Sequence, residues 1–172
     1  MQRIMVVGVS AGVGKSTFAR RLGEALGIEV HHLDRFFWKP KWVQATMEEF
    51  SQAQQAIVDR QSTWIIEGNY TGSLDIRVEH ADTIIYLELP LHICLFRVVK
   101  RWLSNIGNTR PDMGEDCKEM LDWKFIKFIY STYYPRKKRM NEFFQVYGKQ
   151  KKVIVLKNKR EIEAYLQSIE NQ

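Results

Sequence analysis

One short run narrows the possible folds of this chain more than any other part of it. Gly8-Val9-Ser10-Ala11-Gly12-Val13-Gly14-Lys15-Ser16-Thr17 follows the apolar stretch Ile4 to Val9 and leads into a segment where Phe18, Leu22 and Leu26 recur every four residues. The order is strand, glycine-rich turn, helix. Gly12 and Gly14 let the backbone turn tightly with its N–H groups facing inward, and a helix starting near Lys15 aims the positive end of its dipole at the same spot. Phosphate oxygens suit such a concavity. The residues from Ala11 to Thr17 are its candidate contacts, with Lys15 able to reach the β- and γ-phosphates and the Ser16 hydroxyl placed to ligate magnesium. The strict form of the pattern leaves four residues between its first glycine and the Gly-Lys pair. Gly8 leaves more, Val9 to Val13, so Val9 occupies the first glycine position and the chain enters the loop at a slightly different angle.

A strand followed by a helix recurs downstream. Apolar runs at Ile4 to Val9, Ile28 to His32, Trp64 to Glu67, Thr83 to Leu87 and Val153 to Leu156 are separated by amphipathic stretches, the alternation of an α/β domain whose parallel sheet is covered on both faces. Gly27 stands at the end of the first helix, where a left-handed terminus favours a residue without a Cβ. Thr46 and Glu49 predict a capping box for a helix over Met47 to Arg60. Pro90 opens a third helix, about Leu91 to Leu103. It runs into the turn-rich excursion from Ser104 to about Lys118. The aromatic stretch Met120 to Tyr134 reads as a helix ended by Pro135, the basic cluster Arg136 to Arg139 reads as mainly surface, and a last helix is expected over Lys159 to Ile169.

At 172 residues and 45% hydrophobic composition, the chain suits one domain with an excursion. The formal net charge of +6 favours anionic partners, nucleotides as readily as nucleic acid. Cys94 and Cys117 have no metal-type spacing and do not suggest a disulfide framework. Ile4 to Val9 is too short for a signal-peptide core, and no run approaches the roughly 18 apolar residues of a membrane span, so a cytoplasmic location is the expectation. His31 and His32 end the second strand without companion ligands, which argues against zinc.

The ordered series of motifs resembles the nucleoside- and nucleotide-kinase branch of P-loop proteins, and within it the small bacterial adenylate-kinase-like or DNA topology modulation proteins. Beyond the loop it rests on Leu33-Asp34 with Phe37-Trp38 and Trp42, on Trp64-Ile65-Ile66-Glu67-Gly68-Asn69-Tyr70, on Asp82 to Leu87, on Arg97 and Arg101, and on Arg110-Pro111-Asp112 and Tyr134-Pro135-Arg136. The resemblance covers nearly the whole length. It implies a three-layer P-loop fold with a five-stranded parallel sheet ordered 2-3-1-4-5, an acceptor-binding region about 34–62 and a short helical lid about 104–118. ATP and Mg²⁺ are the implied cofactors.

The same resemblance suggests roles. Asp34 would accept the proton of an attacking hydroxyl, although a helix cap or a pair with Arg35 explains it as well. Glu67 would order water around magnesium, with Asn69 and Tyr70 facing the acceptor. Arg97 would lie against the adenine or its phosphates and Arg101 would stabilise the transferring phosphoryl group. Arg110 and Arg136 would close over them from the lid, and Lys157 would lie in the loop beside the base. Phe36, Phe37, Trp38 and Trp42 suit either a flat acceptor ring or lid packing.

Three functions follow as alternatives. The first is a kinase of a nucleoside-like or other hydroxyl acceptor. The second is a nucleoside-monophosphate kinase using Arg35 and Arg77 for the acceptor phosphate. The third is an ATP-dependent DNA regulator, for which no helix-turn-helix or zinc finger is evident. The acceptor's identity and the oligomeric state are not written in the sequence.

Overall fold

A computed structural model describes residues 1–171. Its elements in chain order are β1 (Arg3–Gly8), α1 (Lys15–Leu26), β2 (Val30–His32), α2 (Leu33–Phe37), β3 (Trp38–Lys39), β4 (Val43–Gln44), α3 (Met47–Arg60), β5 (Trp64–Glu67), α4 (Leu74–His80), β6 (Thr83–Leu87), α5 (Leu91–Ser104), α6 (Trp123–Tyr147), β7 (Lys152–Leu156) and α7 (Lys159–Glu170). Single 3₁₀ turns lie at Pro40–Trp42 and Thr71–Ser73. The main sheet runs β2-β5-β1-β6-β7 and all its pairs are parallel. Counted without the small β3–β4 hairpin, that is the order 2-3-1-4-5 anticipated above.

β1 is central because it is apolar on both faces. Ile4, Met5 and Val6 are fully buried between β5 and β6. α1 covers one face with Phe18, Ala19 and Leu22, and each large side chain buried there is worth about 2 kcal/mol. α1 ends on Gly27 at φ 65°, whose amide donates to the Gly23 carbonyl. The Ile28 amide turns back to the same carbonyl at 3.1 Å, which is why the second strand begins at Val30 and not at Ile28. The Thr46–Glu49 capping box forms in both directions and starts α3 where the sequence places it.

Two expectations are corrected. α6 runs through Pro135 to Tyr147, although that proline removes one intrahelical bond at a cost of about 3 kcal/mol. Tertiary contacts carry the helix across. Ile129, Tyr133 and Met140 are buried, the Tyr133 hydroxyl donates to the Leu89 carbonyl at 2.8 Å, and Arg136 Nη1 donates to the Val9 carbonyl at 3.3 Å. Arg136 therefore belongs to a long helix and not to a lid. The excursion after α5 contains no helix. It is made of turns and two isolated bridges, Ile106 with Glu119 and Thr109 with Lys118, because Asn105, Gly107, Asn108 and Pro111 favour turns and the Asn105, Asn108 and Met113 amides donate to carbonyls three residues back. No helix among the described residues is long and apolar enough to cross a membrane.

Candidate active site

The carboxyl ends of β1, β2 and β5 open into one cleft of about 1540 Å³. Its floor is the phosphate loop. Gly12 and Gly14 adopt φ 77° and 101°, a region costly for any residue with a Cβ. Gly12 has a second reason to be glycine, since a Cβ there would lie 2.2 Å from the Cys94 carbonyl oxygen of α5. The loop and α5 touch backbone to backbone.

Among the described residues, no amide from Ser10 to Thr17 donates to a protein acceptor. The Ser10 hydroxyl is buried without a partner. A run of free donors at a helix start, beside an ammonium, fits a polyphosphate. At the loop entry the Gly8 amide donates to Asn69 Oδ1 at 2.9 Å. Asn69 is thus committed to holding the loop against the end of β5, a task the sequence reading missed.

Glu67 closes β5 and is 4% exposed. One of its oxygens lies 3.7 Å from Lys15 Nζ and the other is 3.0 Å from His32 Nδ1. Ser16 lines the same cleft. One hydroxyl and one carboxylate are what a magnesium ion needs from a protein when phosphates and water complete its shell, so this donor set fits Mg²⁺. His31 is turned away, bonded through Nε2 to Gln61 Oε1 at 2.8 Å.

Asp34 is the second residue of the one-turn helix α2 and is half-buried in the cleft wall. Tyr70 donates its hydroxyl proton to Asp34 Oδ1 at 2.5 Å. Oδ2 has no protein partner among the described residues. Burial pushes the Asp34 carboxyl above the ordinary aspartate range and the Glu67 charge adds to this, while the Tyr70 bond, Lys15 and Arg110 offset part of it. Burial first, then the Asp34 charge, raises the Tyr70 phenol, which stays a donor.

The aromatic residues form a connected wall. Phe37 meets Trp38 edge-on at 5.0 Å and lies 4.8 Å from Tyr70, and Trp38 meets Trp42 at 5.3 Å. Phe37, Trp38 and Trp42 line the cleft, whereas Phe36 does not. The segment after α5 docks against this wall. Trp42 Nε1 donates to the Lys118 carbonyl at 3.0 Å and Cys117 Sγ donates to the Lys39 carbonyl at 3.3 Å. Gly114 packs so closely that a Cβ would sit 1.8 Å from the Trp38 carbonyl oxygen.

Arg97 and Arg101, one turn apart on α5, both line the cleft. Arg97 Nη1 donates to the Val13 carbonyl at 3.1 Å, laying the guanidinium across the phosphate loop. Arg101 and Arg110 meet on Glu119, a buried carboxylate that sequence reasoning missed. Burial, then the Arg110 charge, lowers the Arg101 guanidinium against the pull of Glu119. Arg136 and Arg139 reach the cleft from α6, and Arg139 too was missed inside a cluster read as surface. Of that cluster, Lys137 pairs with Glu88 at 2.8 Å.

Three sequence candidates lie elsewhere. Lys157 is exposed beyond the cleft with its amide bonded to Glu161 Oε2 at 2.6 Å, and Lys159 lines the rim in its place. Arg35 is exposed and outside the lining. Arg77 is fully buried and donates to the Gly68 and Tyr70 carbonyls at 2.8 Å each. Neither arginine faces an acceptor.

The fold is that of the P-loop kinases. The chain is similar to a shikimate kinase from Acinetobacter baumannii in complex with shikimate, at TM-score 0.56 and 15% identity, over 98% of this chain and 90% of that one. It is similar to a sugar kinase from a Janibacter species at TM-score 0.52 and 16% identity, over 99% and 91% of the two chains. A deoxyadenosine kinase from M. mycoides with bound dATP matches at TM-score 0.50 and 15% identity over 100% of both chains. No protein-family model matches the sequence, and no match to it was found among curated proteins.

Proposed function

We propose that the chain is an ATP-dependent kinase that transfers the terminal phosphoryl group to a hydroxyl of a small molecule, with Asp34 as general base. The observation that carries this reading is the single cleft shared by the free amides of Ser10 to Thr17 and the unpartnered Oδ2 of Asp34. A triphosphate cradle and a proton acceptor in one cleft suit in-line transfer from one to the other.

Lys15 and the loop amides hold the β- and γ-phosphates, and Ser16 with Glu67 would hold Mg²⁺, which would supply positive charge against that developing on the transferred group. Arg97 and Arg136 lie over the phosphates, and Arg101 and Arg110 supply planar donors to the phosphoryl group in flight. Asp34 takes the hydroxyl proton on Oδ2 while Tyr70 holds Oδ1. The buried location of Arg77 and the outward one of Arg35 favour this over a monophosphate acceptor. The membership of the adenylate-kinase-like and topology-modulation group rests on the ordered motif series, and a cytoplasmic location accords with a supply of ATP.

Calorimetry of Mg-ATP binding to the wild-type protein and to Lys15→Ala tests the reading, followed by a screen of hydroxyl compounds for stimulated ADP release. Binding by the wild type that Lys15→Ala loses supports it. Equal heats from both proteins, or none from either, remove its foundation.

A further inference from the structure

α5 is apolar on two sides. Towards the core it buries Cys94 and Val98, and towards the cleft it turns Arg97 and Arg101. The face opposite those arginines carries Phe96, Val99 and Leu103, spaced three and four residues apart and all exposed. A helix face that meets only water is ordinarily polar. This spacing is that of a seam between two helices, yet Phe96 and Leu103 stay largely in solvent.

The stripe continues past the helix. Ile106, three residues beyond Leu103, bridges to Glu119, which sets it beside Met120, and Trp123 opens α6 three residues later. Phe96, Leu103, Ile106, Met120 and Trp123 are between 58% and 77% exposed, Trp123 the most. At roughly 150–250 Å² for a large apolar side chain, these five and Val99 present about 700 Å² of apolar surface in one tract. The largest such patch on an ordinary monomer is about 300–600 Å², and a stable pair of subunits covers about 800 Å² on each. The tract exceeds the first area and, with its polar rim, meets the second.

Its relief points to what covers it. Between α5 and the start of α6 lies a groove of about 420 Å³ lined wholly by apolar residues, Leu95, Val99, Leu121, Trp123 and Ile126. Trp123 walls that groove and also projects from it. A patch that pairs with itself across a two-fold axis must carry a projection and a hollow side by side, and this one does. A lipid surface would take the projections and leave the hollow unfilled. The rim holds Lys100, Lys124 and Lys127 as well as Asp122, all exposed. Seating Trp123 in the groove of a second copy carries Asp122, its neighbour in the chain, towards that copy's Lys100, which follows Val99. The two-fold axis repeats the pair.

We infer that the outer face of α5, with Trp123 and the groove beside it, is the surface through which two copies of this chain pair in solution. The inference does not depend on the phosphotransfer reading.

Sedimentation equilibrium of the full chain tests it, and a dimer with a micromolar or lower dissociation constant is expected. Trp123→Ala and Phe96→Glu alter exposed side chains and should keep the wild-type circular dichroism spectrum. The first should raise the dissociation constant about ten-fold or more, and the second should leave no dimer at micromolar concentration. Val146→Ser removes a side chain as exposed as Phe96, about 35 Å further along α6 from Trp123 at 1.5 Å per residue, and should dimerise as the wild type does. A wild type that stays monomeric at the highest micromolar concentrations overturns the inference, as does a dimer that both variants keep or that Val146→Ser weakens equally. Flotation with vesicles of phosphatidylglycerol and phosphatidylcholine addresses the cationic rim: a monomeric protein that binds them, and loses that binding in Trp123→Ala, also overturns it. If one variant does not fold, the other decides against the wild type.

Discussion

Glu119 holds Arg101 and Arg110 at once, its Oε1 accepting from Arg101 Nε at 2.9 Å and its Oε2 from Arg110 Nε at 2.6 Å. The carboxylate is 6% exposed and joins the end of α5 to the excursion that follows it. A buried charge thus ties the last turn of α5 to irregular backbone and adds to the packing of Met113 and Cys117, the buried apolar residues of the excursion.

Glu119→Gln leaves Arg101 and Arg110 facing each other across a neutral amide, with Asp112 still paired to Arg110. Breaking a buried pair in this way costs about 3 kcal/mol, which for a chain of this length lowers the melting temperature by roughly 6–12 °C. Scanning calorimetry checks it. Mg-ATP should restore more of the loss in the variant than it adds to the wild type, because phosphate then satisfies the released arginines.

Glycines of the same backbone class should behave differently under the same substitution. Gly12 at φ 77° faces the Cys94 carbonyl, whereas Gly27 at φ 65° has open space around it. Gly27→Ala suffers only the left-handed backbone, about 1 kcal/mol, and should bind Mg-ATP as the wild type does. Gly12→Ala must also push the loop away from α5 and should lose at least a hundred-fold in ATP affinity. Titration calorimetry on both variants distinguishes a steric role of Gly12 from a general glycine effect.

The parts of this fold that were legible in the sequence are those set by neighbours in the chain. The loop from Gly8 to Thr17, the Thr46–Glu49 cap and the end of α1 at Gly27 are local patterns, and they form where they are written. Glu119 gave no signal, because its meaning comes from Arg101 on the preceding helix and Arg110 across a turn. Gly114 matters only against the Trp38 carbonyl, a partner far away in the chain. Pro135 misled for the same reason: its local preference is real, but Tyr133 and Met140 are buried on either side of it and outweigh it. Arg77 read as a candidate for an acceptor phosphate because a sequence does not show that two carbonyls await it in the interior.

Those two carbonyls make Arg77 a structural pin for the site. By binding Gly68 and Tyr70 it fixes the segment that carries Asn69 to the phosphate loop and Tyr70 to Asp34. Burial lowers its pKa to about 10, so it remains charged at neutral pH. Arg77→Met keeps the volume and strands both acceptors, costing about 2–4 kcal/mol. Arg77→Lys restores charge but not the two-pronged geometry, and should recover only part of the loss. Urea denaturation of the three proteins measures this, with the midpoint of Arg77→Lys expected between the other two.

Asp34 should link stability and activity with opposite signs. Burial, and next the Glu67 charge, raises its folded pKa above the unfolded value of about 3.9. The fold thus favours the protonated form. The stabilisation from this group is complete below the unfolded pKa and is lost as pH rises through the folded one. At neutral pH, above the unfolded pKa, this carboxyl costs the fold stability, and Asp34→Asn, neutral at every pH and still able to accept from Tyr70, should melt higher than the wild type. That difference should vanish when both are melted well below the unfolded pKa. Catalysis needs the form that the fold disfavours, so kcat/KM should fall on the acid side with a midpoint above the ordinary aspartate range, and Asp34→Asn should lose about 10²–10⁴-fold in turnover. A variant that melts lower at neutral pH, or that keeps wild-type turnover with a flattened acid limb, would show that Asp34 is a structural carboxylate and not the base.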